Sequence, residues 1–177
     1  MSTVLSYADM ASKTSNANPL SLKQQKELEF PIRISHQNVL YYCKQIDGEP
    51  NYKKIISSNG DEVILYSPDF GTGWSTFMKE LPVNIQNQMI YDSRIIRFIE
   101  DKSCLPEYRF LLDGLKYLSE EEYESLYHDF MANILGLPEK YITCSKGFCT
   151  LKIFVVPKGK KYTIHQHNGY EYVVVHN

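Results

Sequence analysis

The chain has 177 residues, 43% of them hydrophobic, which is enough to bury one ordinary core and predicts a single domain. Its formal net charge of -2 excludes a global electrostatic pull toward nucleic acid or anionic membranes, so any partner must be recognised locally. No apolar run approaches the roughly 20 residues that a membrane-spanning helix needs.

In chain order, residues 1–29 are rich in Ser, Asn, Lys and Gln and predict a flexible polar tail, within which "SLKQQKELEF" has the pattern of a short helix. Residues 30–177 then form one α+β domain. "PIRI", "NVLYYCKQI", "YKKII" and "EVILYS" are short, β-branched or aromatic runs separated by turn chemistry, and predict an antiparallel N-terminal sheet. Asn59-Gly60 suits a type I′ turn pairing "KKIIS" with "EVILY". The middle reads as helical. Asp92 is placed to cap "SRIIRFIED", and "YRFLLDGLKYL" follows Pro106 as a second helix. Ser119 and Glu122 form a capping box before Tyr123, Leu126, Tyr127, Phe130, Met131, Ile134 and Leu135, which recur at helical spacing until Gly136 and Pro138.

The last segment returns to strands: "FCTLKIFVV", then "KYTIHQH" and "YEYVVVH" around Asn168-Gly169, a C-terminal β-hairpin sheet. A two-residue loop pairs His167 with Tyr170, Gln166 with Glu171, His165 with Tyr172 and Ile164 with Val173. Alternation therefore puts His165, His167, Tyr170 and Tyr172 on one face and Ile164, Gln166, Glu171 and Val173 on the other. Charge is uneven: residues 100–139 hold ten acids against three bases, net -7, and residues 140–177 hold six lysines against Glu171, net +5.

The stretch that most invites a functional reading is "YSPDFGTGWSTF", residues 66–77. It has no lysine for a Walker-type phosphate loop, and neither the third glycine nor the βαβ frame of a dinucleotide loop. Two readings remain. In the first and preferred one, Gly71 and Gly73 supply positive φ to a turn packed by Phe70, Trp74 and Phe77. In the second, Gly71, Gly73, Trp74, Ser75 and Thr76 bind a ligand through backbone N–H groups and hydroxyls, together with the His165, His167, Tyr170 and Tyr172 face.

Cys144, Cys149, His165 and His167 are four residues of types zinc accepts, although the Cys spacing is wider than the usual knuckle; the bland alternative is two ordinary thiols and two surface histidines. No Ser or Cys nucleophile has the local context of a catalytic set, so no catalytic residue and no cofactor is assigned. "PKGKKY" beside the His/Tyr face is a basic loop with a weaker claim on nucleic acid. The four cysteines, Cys43, Cys104, Cys144 and Cys149, without a signal-peptide pattern, predict free thiols in a reducing, intracellular compartment.

Over residues 60–177, "YSPDFGTGWSTF", "MIYDSRIIRFIE" and "LKIFVVPKGKKYTIHQHNGYEYV" together resemble a group of small proteins from tailed bacteriophages and large DNA viruses. In that group a Gly-x-Gly-Trp-Ser-Thr turn precedes an aromatic-Asp-x-Arg-Ile helix start, and a strand-Val-Pro-x-Gly-strand hairpin closes the chain. The group's last hairpin reads acidic-Tyr-Asp-Gly, whereas this chain has Gln166-His167-Asn168-Gly169, which puts any role of an acidic residue there in doubt. The resemblance implies a viral origin, host cytoplasm as the location, and no particular activity. The expectation is a non-enzymatic viral accessory protein binding a protein partner or small molecule. The alternatives are a small enzyme acting on a nucleotide-like or phosphorylated ligand, with His165 or His167 as acid/base, and a structural virion component.

Overall fold

A computed structural model describes residues 32–33, 39–69, 73–74 and 80–177; the expected tail and its short helix lie outside them. Strands β1 (Ile32–Arg33), β2 (Leu40–Ile46), β3 (Glu49–Ser57) and β4 (Glu62–Tyr66) come first. Helices α1 (Val83–Tyr91), α2 (Ser93–Glu100) and α3 (Glu120–Asn133) follow, with a 3₁₀ stretch Pro106–Lys116 between α2 and α3. Strands β5 (Lys152–Val156), β6 (Lys161–His167) and β7 (Tyr170–His176) close the chain. The fold is α+β, as the patterning predicts.

Five strands form one antiparallel sheet in the order β1-β2-β3-β4-β5, and β6-β7 form a separate hairpin. The strand expected to join the C-terminal hairpin, β5, instead pairs with β4, Tyr66 opposite Lys152 through Glu62 opposite Val156. The "FCT" that precedes it is 3₁₀, Lys146–Thr150. Pro157, which has no N–H to extend a ladder, ends β5, and the turn closes when Lys160 N–H donates to Pro157 O at 3.0 Å. Lys158 N–H donates to Asp61 Oδ1 at 2.9 Å, which ties this turn to the one between β3 and β4.

Asn59-Gly60 does join β3 to β4, but not as a two-residue turn. The one bridged pair is Ile56 with Glu62, and Gly60 N–H donates to Ser57 O at 2.9 Å with Gly60 at φ +90°. Ser57 explains the wider loop, because its Oγ accepts from Asn59 N–H at 3.2 Å and Asp61 N–H at 3.0 Å, holding the chain open by one residue.

The helices cover one face of the sheet. Tyr41, Ile55, Val63 and Leu65 point inward to meet Met89, Ile95, Ile96, Phe98, Phe130 and Phe148. Asp92 caps α2 as expected, accepting from Arg94 N–H at 2.8 Å. Helix α1 has no counterpart in the sequence reading: its N-cap is Pro82, with no side-chain bond, and its polar "NIQNQ" carries little apolar period. The "YRFLLDGLKYL" helix is 3₁₀ and broken at Gly114, where φ is +61°.

Helix α3 starts as predicted and ends at Asn133, before the expected stop at Gly136; all seven stripe residues from Tyr123 to Leu135 are buried, Ile134 and Leu135 just past the helix end. Its capping box is complete: Ser119 Oγ accepts from Glu122 N–H at 3.3 Å and Glu122 Oε2 accepts from Ser119 N–H at 2.8 Å. The bond from the Ser119 N–H, then the Ser119 side chain, holds the Glu122 carboxyl below its ordinary range. A depressed carboxylate contributes fully above the ordinary glutamate range and loses its contribution as pH falls through the folded value. Ser119→Ala removes only the hydroxyl acceptor and should cost about 1 kcal/mol; Glu122→Ala removes the carboxylate that the Ser119 N–H donates to, and its cost in urea denaturation should shrink from neutral pH to about pH 3. Equal costs at both pH values would show that the reciprocal bond contributes nothing.

Candidate functional site

The β6–β7 hairpin is built by its turn. Asn168 at φ +48° and Gly169 at φ +88° are the two positive values a type I′ turn requires, and Asn and Gly are the residues that accept them. The register is the one alternation predicts, His167 with Tyr170, Gln166 with Glu171, His165 with Tyr172 and Ile164 with Val173. His165 and Tyr172 stack with ring centroids 5.4 Å apart and planes 17° apart. His167 meets Tyr170 at 5.6 Å, and Tyr170 meets Tyr172 at 6.3 Å. Four rings thus form a continuous outward column. His165, His167 and Tyr172 are exposed, Tyr172 at 44%, and Tyr170 is half-buried. Further along the same face, Thr163 Oγ1 and His176 Nε2 share a hydrogen bond of 2.7 Å.

The opposite face of the hairpin holds it to the body. Tyr162 packs edge-on against Tyr91 of α1, hydroxyl to hydroxyl, and burial followed by the Tyr91 phenol raises its pKa well above the ordinary tyrosine value. Glu171 is the decisive contact. Its side chain is 1% exposed; Oε2 accepts from Ser67 N–H at 2.8 Å and Oε1 from Trp74 N–H at 2.7 Å. Its own N–H donates to Ser67 O at 2.7 Å. The glycine-bearing stretch and the hairpin therefore meet, but through the inner face, with the His/Tyr column on the far side.

Trp74 is fully enclosed. Its indole N–H donates to Met89 O at 2.8 Å, and its ring stands edge-on to Phe148 at 5.5 Å and Tyr127 at 6.5 Å. Gly73 takes φ +57°, and its carbonyl accepts from Ser145 Oγ at 2.9 Å. Of the loop residues read as ligand-binding candidates, Gly73 and Trp74 are buried, while Gly71, Ser75 and Thr76 lie outside the described residues. Sequence reasoning assigned no role to Glu171. The signal was its place among Ile164 and Val173 on the inner face, where a lone carboxylate has to find donors.

The proposed metal set is not brought together. Cys144 and Cys149 are electrostatic neighbours of buried Tyr123 on α3, whereas His165 and His167 project from the outer hairpin face. Among the described residues no group of three or more His, Cys, Asp or Glu side chains converges on a metal position. All four cysteines are free thiols. Burial pushes Cys104 and Cys144 up to about 11 and raises Cys149 as well, which keeps these thiols protonated and weakly nucleophilic.

Among the described residues no helix is long and apolar enough to cross a membrane. No family model, curated protein or solved structure matches the chain. Its fold and candidate site thus define it by class alone: an α+β protein that anchors a two-stranded hairpin through a buried carboxylate and turns an aromatic, histidine-bearing face outward.

Proposed function

We propose that the protein is a non-enzymatic binding module that engages a protein partner through the outer face of the β6–β7 hairpin. The observation that supports this best is the outward ring column His167, Tyr170, Tyr172 and His165, three of whose rings are exposed, because rings already packed against one another lose little conformational freedom on binding. Lys161, on the same face at the base of β6, is exposed, which favours an acidic partner surface. In this reading the buried Trp74 backbone serves to fix the hairpin, through Glu171, rather than to touch the partner. An accessory role in a viral setting, inside the host cell, belongs to the same proposal; the free thiols suit a reducing compartment.

The test is His165→Ala/Tyr172→Ala. Both side chains are exposed, so the melting temperature should hold within a degree or two while partner affinity falls at least about 30-fold, the effect of losing a hot spot. Affinity would be read by surface plasmon resonance against proteins co-purified with the wild-type chain. If the double variant keeps every partner at wild-type affinity, the hairpin face is not the binding site.

A further inference from the structure

Ser67 and Trp74 are separated in sequence, yet their N–H groups converge on one carboxylate. The convergence is built from both sides. Ser67 is fully buried and its Oγ shares a 2.7 Å hydrogen bond with Thr150 Oγ1, which in turn donates to Gly147 O at 3.2 Å. On the other side, the Gly73 carbonyl is held by Ser145 Oγ, and the Trp74 indole by Met89 O. Neither N–H belongs to a helix, and each donates to a different oxygen of Glu171.

Two fixed donors aimed at two oxygens of one carboxylate make a concave anion site of the kind that backbone amides form. We infer that Ser67 and Trp74 form an anion cradle, selective for a planar carboxylate, that is filled in cis by Glu171. The motif's likeness to a phosphate loop is thus partly physical: the backbone does present N–H groups to an anion, and that anion is the chain's own. The inference does not depend on what the outer hairpin face binds.

If the cradle is preformed, removing the side-chain carboxylate leaves room for a free one. The full chain carrying Glu171→Ala should melt below the wild type in chloride buffer, and sodium formate or acetate should raise its melting temperature saturably. Acetamide and sodium chloride at matched concentration should not, and the wild type should respond to none of them. Trp74, the only tryptophan of the chain, donates its N–H to this carboxylate, so its emission should shift with the same formate dependence. A folded Glu171→Ala protein without saturable, carboxylate-selective rescue would overturn the inference.

Should Glu171→Ala fail to fold, Glu171→Gln decides instead. It keeps the length and shape of the side chain but sets an amide NH2 against one backbone donor. A melting temperature clearly below wild type is expected, and equality with wild type would show that the site does not select an anion.

Discussion

Gly147→Ala should destabilise the protein by more than the roughly 1–3 kcal/mol typical of overpacking. A Cβ at this position would sit 1.8 Å from Gly73 O and 2.7 Å from Gly73 C, and both are backbone atoms that no rotamer change can move aside. The requirement is for space, since Gly147 is not among the glycines with positive φ. Relief would mean parting the segment around Ser145–Phe148 from Gly73–Trp74, which breaks the Ser145 to Gly73 bond and lifts Phe148 from the Trp74 ring. For a chain of this size about 3 kcal/mol corresponds to a fall in melting temperature of roughly 6–12 °C. Thermal unfolding followed by circular dichroism would measure it, and a variant melting within about 2 °C of wild type would show that the two segments separate easily.

The second large effect is expected at the junction of α1 and α2. Asp92 is fully buried; its Oδ1 accepts from Arg94 Nε at 3.0 Å and its Oδ2 from Arg94 Nη2 at 2.7 Å. The same guanidinium donates through Nη1 to Ile134 O at 2.6 Å and through Nη2 to Asn51 O at 3.0 Å. One side chain thus satisfies a carbonyl at the end of α3 and another on β3 while neutralising the α2 cap. Burial alone would lower the Arg94 pKa, but the charge and hydrogen bonds of Asp92 hold it above the ordinary arginine value.

Removing either partner strands the other in a site with little water, and such losses run to about 3–5 kcal/mol. Asp92→Ala and Arg94→Ala should each show this in guanidinium denaturation. Arg94→Lys should recover little, because an ammonium has no planar fork to reach the carboxylate and two carbonyls together. The double variant should cost much less than the sum of the two, since it strands neither charge. Additive losses would mean that the pair acts only through packing.

What was legible in the sequence was local. The capping box at Ser119 and the α3 stripe depend on residues three and four apart, and the hairpin register follows from two consecutive residues that accept positive φ. Asn59-Gly60 shows the limit of such reasoning, since the same dipeptide gives a wider loop where Ser57 offers its hydroxyl to two nearby amides. Strand β5 was legible as a strand but not in its partner, because alternation in "KIFVV" sets its faces and says nothing of which edge it joins. The candidate site divides in the same way. The outer His/Tyr column follows from register, whereas the carboxylate anchor requires knowing that residue 171 returns to residues 67 and 74.

The placement of β5 also bears on how the chain acquires its structure during synthesis. Strand β4 is flanked on one side by β3, which it bridges at a single pair, and on the other by β5, which it meets along its whole length from Glu62 to Tyr66. Its principal partner therefore leaves the ribosome only after helices α1, α2 and α3 have been made. Until then the apolar run Val63-Ile64-Leu65 is an open strand edge, the kind of surface that seeks another chain. Fragments ending before Lys152 should accordingly lack an independently stable N-terminal sheet, and the chain should complete its folding late, as one unit sealed by its C-terminal strands.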